Sequence, residues 1–347
     1  MHGRVLRRPS ARASARMTDT RVHGWYGIRR MMRWVATISL ILAAAVAGGG
    51  FWTLSIPQAV PAGSLGPHQV DLKNGRTMFD AGGCASCHAV PGQPDRSRLG
   101  GGLALHSPFG TFYVPNISPD PHDGIGGWTE AAFVTALHKG TSPDGRHYYP
   151  AFPYPSYQYI RVDDLRDLFG YLKTLPAVQG KVRDHDLAFP FTIRRGVGLW
   201  KSLFLTPKSF APDPSQSATW NRGAYLVNAP GHCAECHSPR NFAGAVIASQ
   251  RFAGGPNLEG RGWVPNITQY GLKDWSEKDI AYLLETGQTP DGDSVGSSMT
   301  EEVRNTSQLS PEDRTAIATY IKSLPPVEGP KKPPRTDSGP PTNPMNQ

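Results

Sequence analysis

Two pentapeptides carry the residues best able to do chemistry: CASCH, with Cys84, Cys87 and His88, and CAECH, with Cys233, Cys236 and His237. C-x-x-C-H is the signature of covalent haem c attachment. Two thiols about one helical turn apart add to the two vinyl groups of the porphyrin, and the adjoining histidine turns onto the iron as proximal ligand. Three other chemistries fit less well. A zinc site would draw on all four thiols, but the pairs stand 149 residues apart and each is followed by histidine. A redox dithiol of the thioredoxin kind wants a βαβ pattern, which is absent. Structural disulfides would need no histidine. Two covalently bound haem c groups are the expected cofactors.

The elements that position these motifs also come twice. VPNISPDPHDGIGGWTEAAFVTALHKGTSPDG from Val114 is echoed by VPNITQYGLKDWSEKDIAYLLETGQTPDG from Val264, and YLKTLPAV from Tyr171 by YIKSLPPV from Tyr320. The offset is 149 at the cysteines, 150 at VPNI, 147 at the tryptophans and PDG turns, and 149 again at the final helices. Such a repeat marks tandem copies of one unit, each of ordinary domain size. Thr129, Ser276 and Ser310 read as helix N-caps, the last followed by Pro311 at the first helical position. Phe133, Val134 and Leu137, then Leu165, Leu168, Phe169 and Leu172, and Ile280, Leu283 and Leu284 supply apolar faces at helical spacing. Without convincing alternating strands, the expected class is all-α.

Charge is unevenly placed. Residues 1–33 hold nine arginines and one acid, whereas the rest of the chain has 27 basic and 27 acidic residues. A basic tail on a neutral body is a topology signal and excludes a polyanion-binding groove, so no nucleic acid is expected. Residues 34–52 follow, 19 positions without a charge and with tryptophan at both ends, long enough to cross a bilayer. No Lys or Arg occurs in 53–72. The positive-inside rule then leaves the N-terminus in the cytoplasm and the remainder outside. A cleaved signal peptide is the competing reading, with an A-x-A site at Ala45-Val46-Ala47. The expected order is a basic tail (1–33), an anchor (34–52), a linker (53–72), a first domain (73–178), a connecting segment (179–218), a second domain (219–328) and a Pro-rich disordered tail (329–347).

With these motifs in order, the chain resembles the multihaem cytochrome c subunits of membrane-bound periplasmic dehydrogenases for alcohols, gluconate and similar substrates. The stretches that carry the likeness are GGLALHSPFGTFYVPNISPD, GIGGWTEAAF, PDGRHYYPAFPYPSY, FPFTIRRGVGLWKSLF and WNRGAYLVNAPGHCAECHSPRN. The resemblance implies two tandem cytochrome c domains after an N-terminal transmembrane helix. It implies a role as an electron carrier with no catalytic acid–base residues. The donor would be a periplasmic dehydrogenase subunit and the acceptor a quinone, another cytochrome or a terminal oxidase, with the haem domains on the periplasmic side of a bacterial inner membrane. Family members often carry three haem domains; this chain has two, so a particular substrate does not carry over.

The sixth ligands differ between the halves. Met299 is the only methionine between the second PDG turn and the last helix, and it matches the family's ligand position. His/Met is the usual axial pair in such proteins. Shifted by the 147-residue offset, Met299 falls on Phe152, in YYPAFPYPSY, and no methionine lies between Met78 and Met299. The family's corresponding loop reads Y-P-A-M-P-Y. The first iron is left with a substitute ligand or an open position. His147 is the first choice of substitute, ahead of His106 and His138. Tyr148, Tyr149 and Tyr154 are expected as pocket walls. Since methionine raises a haem's potential, the second centre is expected to sit higher and to receive electrons from the first. A peroxidase-like dihaem enzyme using an open first iron is the alternative.

Overall fold

A computed structural model describes residues 20–206, 209–258 and 262–333. Most of the arginine-rich tail and positions 334–347 of the Pro-rich tail lie outside the described residues. The chain divides into an N-terminal unit ending at Leu54 and a body that begins at Ser55.

The N-terminal unit contains one helix, α1 (Thr20–Leu54). Its apolar part, Ile28–Leu54, is 27 residues with a mean hydropathy of 1.8 and none of it buried. At 1.5 Å per residue that is about 40 Å, more than a bilayer core of about 30 Å. The helix exceeds the expected 34–52 span because nothing breaks it. Arg29, Arg30 and Arg33 are good helix formers, and Gly48–Gly50 stays helical.

The body is one plan used twice. The first half contains α2 (Leu72–Ala81), α3 (Cys84–His88), the hairpin β1 (Ala104–Ser107) and β2 (Gly110–Tyr113), then α4 (Glu130–Lys139), α5 (Tyr154–Tyr157) and α6 (Val162–Leu172). The connecting segment adds β3 (Asp186–Leu187) antiparallel to β2, and then α7 (Gly196–Phe204). The second half contains α8 (Ala218–Asn228), a 3₁₀ turn at Cys233–Glu235, the pair β4 (Gly255–Pro256) and β5 (Trp263–Val264), then α9 (Glu277–Thr286), α10 (Ser298–Thr306) and α11 (Pro311–Ser323). Helices dominate, but the two small sheets correct a strict all-α reading. Strands of two to four residues are too short to show a readable alternation.

The expected caps are made. The Thr129 hydroxyl accepts from Ala132 N at 3.1 Å, and that of Ser310 from Asp313 N at 3.1 Å. Ser276 and Asp279 close a reciprocal capping box.

In each half the first helix crosses the last at a glycine. A Cβ on Gly75 would sit 2.2 Å from the Asp167 carbonyl oxygen, and one on Gly223 would sit 1.8 Å from that of Ala316. Only hydrogen leaves room for the backbones to approach so closely. Aromatic pairs pack beside the crossings, Phe79 with Tyr171 at 5.4 Å and Trp220 with Tyr320 at 5.1 Å. The segment before α2 lies along the first half. Val60 N donates to Thr135 Oγ1 at 2.9 Å, and His68 Nε2 is 2.6 Å from Asp167 Oδ1.

The halves share one continuous core. Tyr225 of α8, 2% exposed, enters the first half. Its hydroxyl donates to Asp164 and accepts from Arg161 N at 3.2 Å, while the Arg161 guanidinium covers its ring at 4.6 Å. Burial, and then the Asp164 carboxylate, raise this phenol above its ordinary pKa. Gly223→Ala should therefore open the α8–α11 crossing and cost about 1–3 kcal/mol as an overpacking change, read as a lower urea midpoint. An unchanged midpoint would show that the helices can slide apart freely.

Candidate functional site

Both pentapeptides sit on tight turns entered through left-handed backbone, at Gly83 (φ 60°) before Cys84 and at His232 (φ 38°) before Cys233. None of the four cysteines is joined in a disulfide. Burial pushes the Cys84 and Cys233 thiols up to about 12. A redox dithiol needs the opposite shift. Among the described residues no group of three or more His, Cys, Asp or Glu is arranged to hold a metal ion.

The two histidines are held alike. His88 Nδ1 donates to the Pro115 carbonyl at 2.8 Å and His237 Nδ1 to that of Pro265 at 2.9 Å. Those bonds fix the tautomer and leave each Nε2 lone pair available. Burial lowers both imidazoles' pKa, His88 to about 4, and so keeps the rings neutral. The proline carbonyls reach this position because a left-handed glycine lets the chain pass close beneath. Gly101 N donates to His88 O and Gly254 N to His237 O, both at 2.8 Å. A Cβ on Gly101 would lie 2.5 Å from Pro115 O, and one on Gly254 would lie 2.8 Å from the Pro265 carbonyl carbon. Two thiols and one neutral imidazole with an open lone pair form the donor set that covalent haem requires.

Opposite the first turn stands the aromatic loop. Phe152 is half-buried, with Tyr148 and Tyr157 at 5.6 Å and Tyr154 at 6.3 Å. Tyr157 ties this cluster to the attachment turn, its hydroxyl donating to Gly82 O at 3.0 Å. Burial pushes Tyr148 up to about 12. In the second half Met299 lies in the first turn of α10, partly buried against the shared core.

The two turns meet through reciprocal contacts. Ser156 Oγ donates to Glu235 Oε1 at 2.7 Å, and Asn305 Nδ2 donates to Ser86 Oγ at 2.6 Å. Ser156 and Asn305 are 149 residues apart, as are Ser86 and Glu235. One contact is thus made twice about an approximate two-fold, as in an isologous interface. His232 packs on Tyr157 at 5.6 Å. A Cβ on Gly83 would sit 2.8 Å from Glu302 Oε2.

The family model for cytochrome c matches residues 72–176 and again 221–325. The chain belongs to the cytochrome c family. It is 48% identical over 302 residues to a Diheme cytochrome c-type protein of Cereibacter sphaeroides, covering 86% of this chain and 100% of that one. It is 38% identical over 269 residues to the cytochrome c subunit of an alcohol dehydrogenase (quinone) from Gluconacetobacter polyoxogenes, and 37% identical over 264 residues to the Fructose dehydrogenase cytochrome subunit of Gluconobacter japonicus. Each of these matches covers 74% of this chain but only 56% and 53% of the respective relative. This cytochrome c accordingly carries two covalently bound haem c groups.

His147, the expected substitute for the missing methionine, is engaged with its own neighbours in this structure. His147 is 4% exposed. Its Nε2 donates to the Ser55 carbonyl at 2.9 Å, and its Nδ1 accepts from Lys201 Nζ at 3.1 Å. Neither nitrogen keeps a lone pair for iron. His138 Nε2 is spent on the Ile160 carbonyl at 2.7 Å, and His106 is exposed on β1 beside Thr111. Phe152 keeps the seat.

Sequence reasoning missed the proline carbonyls, Tyr157 and Lys201. The doubled VPNI was a visible signal for the first; one of three lysines in the connecting segment gave none. Lys201 Nζ lies beneath the aromatic loop, donating to Lys139 O at 2.7 Å, to Gly140 O and to His147, with the Tyr154 ring at 4.9 Å. Burial pulls its pKa down to about 7. A lysine in the unfolded chain titrates near ~10.4. Between those values the unfolded chain holds the extra proton, so stability rises with pH there, and the burial penalty is complete below about pH 7. The stability of the wild type minus that of Lys201→Met should climb across this window. A flat difference would mean that the carbonyls ending α4, aided by the helix dipole, keep the ammonium charged throughout.

Proposed function

We propose that this chain is a membrane-tethered dihaem electron carrier that takes electrons from a dehydrogenase outside the cytoplasm and passes them to the respiratory chain. The observation that carries the reading is the pair of attachment turns, each tied to the distal segment of the other half by the Ser156–Glu235 and Asn305–Ser86 bonds. Cys84 and Cys87 hold the first group and Cys233 and Cys236 the second, with His88 and His237 as proximal ligands and Met299 as sixth ligand of the second centre. Bound at these turns, haem supplies a reversible one-electron iron couple. The protein's own part is to orient and enclose it. The Pro115 and Pro265 carbonyls fix the imidazoles, and the Phe152 cluster walls off water from the first centre. Met299, as a thioether donor to the second group, would raise the potential of that centre, which would favour transfer from the first half to the second.

The names of the relatives support a dehydrogenase as donor. The acceptor is a quinone, another cytochrome or a terminal oxidase. The length and composition of α1 support a bilayer anchor. The arginines before it and their absence from 53–72 support a body on the periplasmic side.

A redox titration followed by low-temperature EPR tests the assignment. The wild type should give two dissimilar low-potential and high-potential signals, and Met299→Ala should lower one couple by about 0.1 V or more within the ~0.8 V that axial ligands span. Two identical His/Met signals would sink the account of the first centre. Brisk steady-state peroxide turnover by the reduced protein would sink the carrier reading itself.

A further inference from the structure

The connecting segment shows an apolar face that the relay does not use. Phe189 is 80% exposed, Leu203 68% and Phe242 98%. Contacts join their three elements into one surface. The Phe191 ring meets Phe109 edge-on at 4.8 Å, and Phe109 lies against Gly244, where a Cβ would be 3.4 Å away. The Trp200 indole donates to the Ala243 carbonyl at 2.9 Å, and its ring packs on Phe204 at 5.4 Å. The loop at 189–193, helix α7 and the turn at 241–244 are therefore continuous. Scattered exposed apolar residues need no explanation, but a continuous patch does.

Two observations say what covers it. Residues 188–212 contain no Asp or Glu and four basic residues. A carboxylate-free, aromatic-rich segment suits the lipid interface, whose headgroup layer favours aromatic rings. The second observation is chain continuity. Ser55 is wholly buried on α7. Its carbonyl accepts from His147 Nε2 and its hydroxyl from Arg195 Nε, both at 2.9 Å, and a Cβ on Gly198 would meet its Cα at 2.7 Å. The residue before it, Leu54, is the last of the apolar helix α1. The last residue of α1 is thus bonded in sequence to a residue seated on α7.

We propose that this face rests in the interfacial layer of the bilayer that α1 crosses, with Phe189, Leu203 and Phe242 entering lipid. The proposal rests on reading α1 as an anchor. The test uses the full haem-loaded chain, alone, in phosphatidylcholine–phosphatidylglycerol vesicles that contain a diazirine-bearing acyl lipid. After illumination, label should appear in residues 34–52 and also at 189–204 and 242, and not at Tyr270 or Tyr282, which are 55% and 49% exposed elsewhere. The variant Phe189→Ser/Leu203→Ser/Phe242→Ser should keep the anchor label and lose face label by about tenfold or more, as expected for apolar groups leaving lipid. Label on the anchor with none on the face, or a face open to a water-soluble label as a seat for a dehydrogenase subunit would be, overturns the proposal. Release by alkaline carbonate with no label at 34–52 overturns the anchor reading and the proposal with it.

Discussion

Ser156 holds Glu235 and Asn305 holds Ser86, and the rest of the body is arranged around that doubled contact. Each bond joins the loop on the distal side of one half to the attachment turn of the other. The turns can meet only if both loops are folded and both α2–α6 and α8–α11 crossings are tight. The glycines at those crossings, the Tyr225 hydroxyl in the first half and the left-handed residues before each CxxCH all serve this geometry. Buried polar contacts of this kind specify a single docked arrangement more than they add net stability.

The symmetry is broken where chemistry differs. The seat that holds Met299 in one half holds Phe152 in the other, and around Phe152 the first half has gathered three tyrosines. Beneath them, Lys201 caps the carbonyls that end α4 and takes up the lone pair of His147. The first half thus has a loop of aromatic rings where the second half has the start of a helix carrying Met299.

Much of this was legible in the chain because repeats and caps are local. Thr129, Ser276 and Ser310 announced their helices, and offsets of 147 to 150 exposed the duplication. What failed was whatever depends on distant partners. His147 looked free because Ser55 and Lys201, 92 and 54 residues away, are invisible to spacing arguments. The same holds for the Asn305–Ser86 bond, which spans 219 residues. The hairpin around Gly110 and the two-residue strands escaped because so short a run carries no period.

In the folded body the entry to the first attachment turn lies under Glu302 and Asn305, supplied by helix α10 more than two hundred residues later. A side chain at position 83 would have to displace Glu302. The local shape of the first turn is thus completed by the last third of the chain, and a change in α10 would be felt at a motif far from it in sequence.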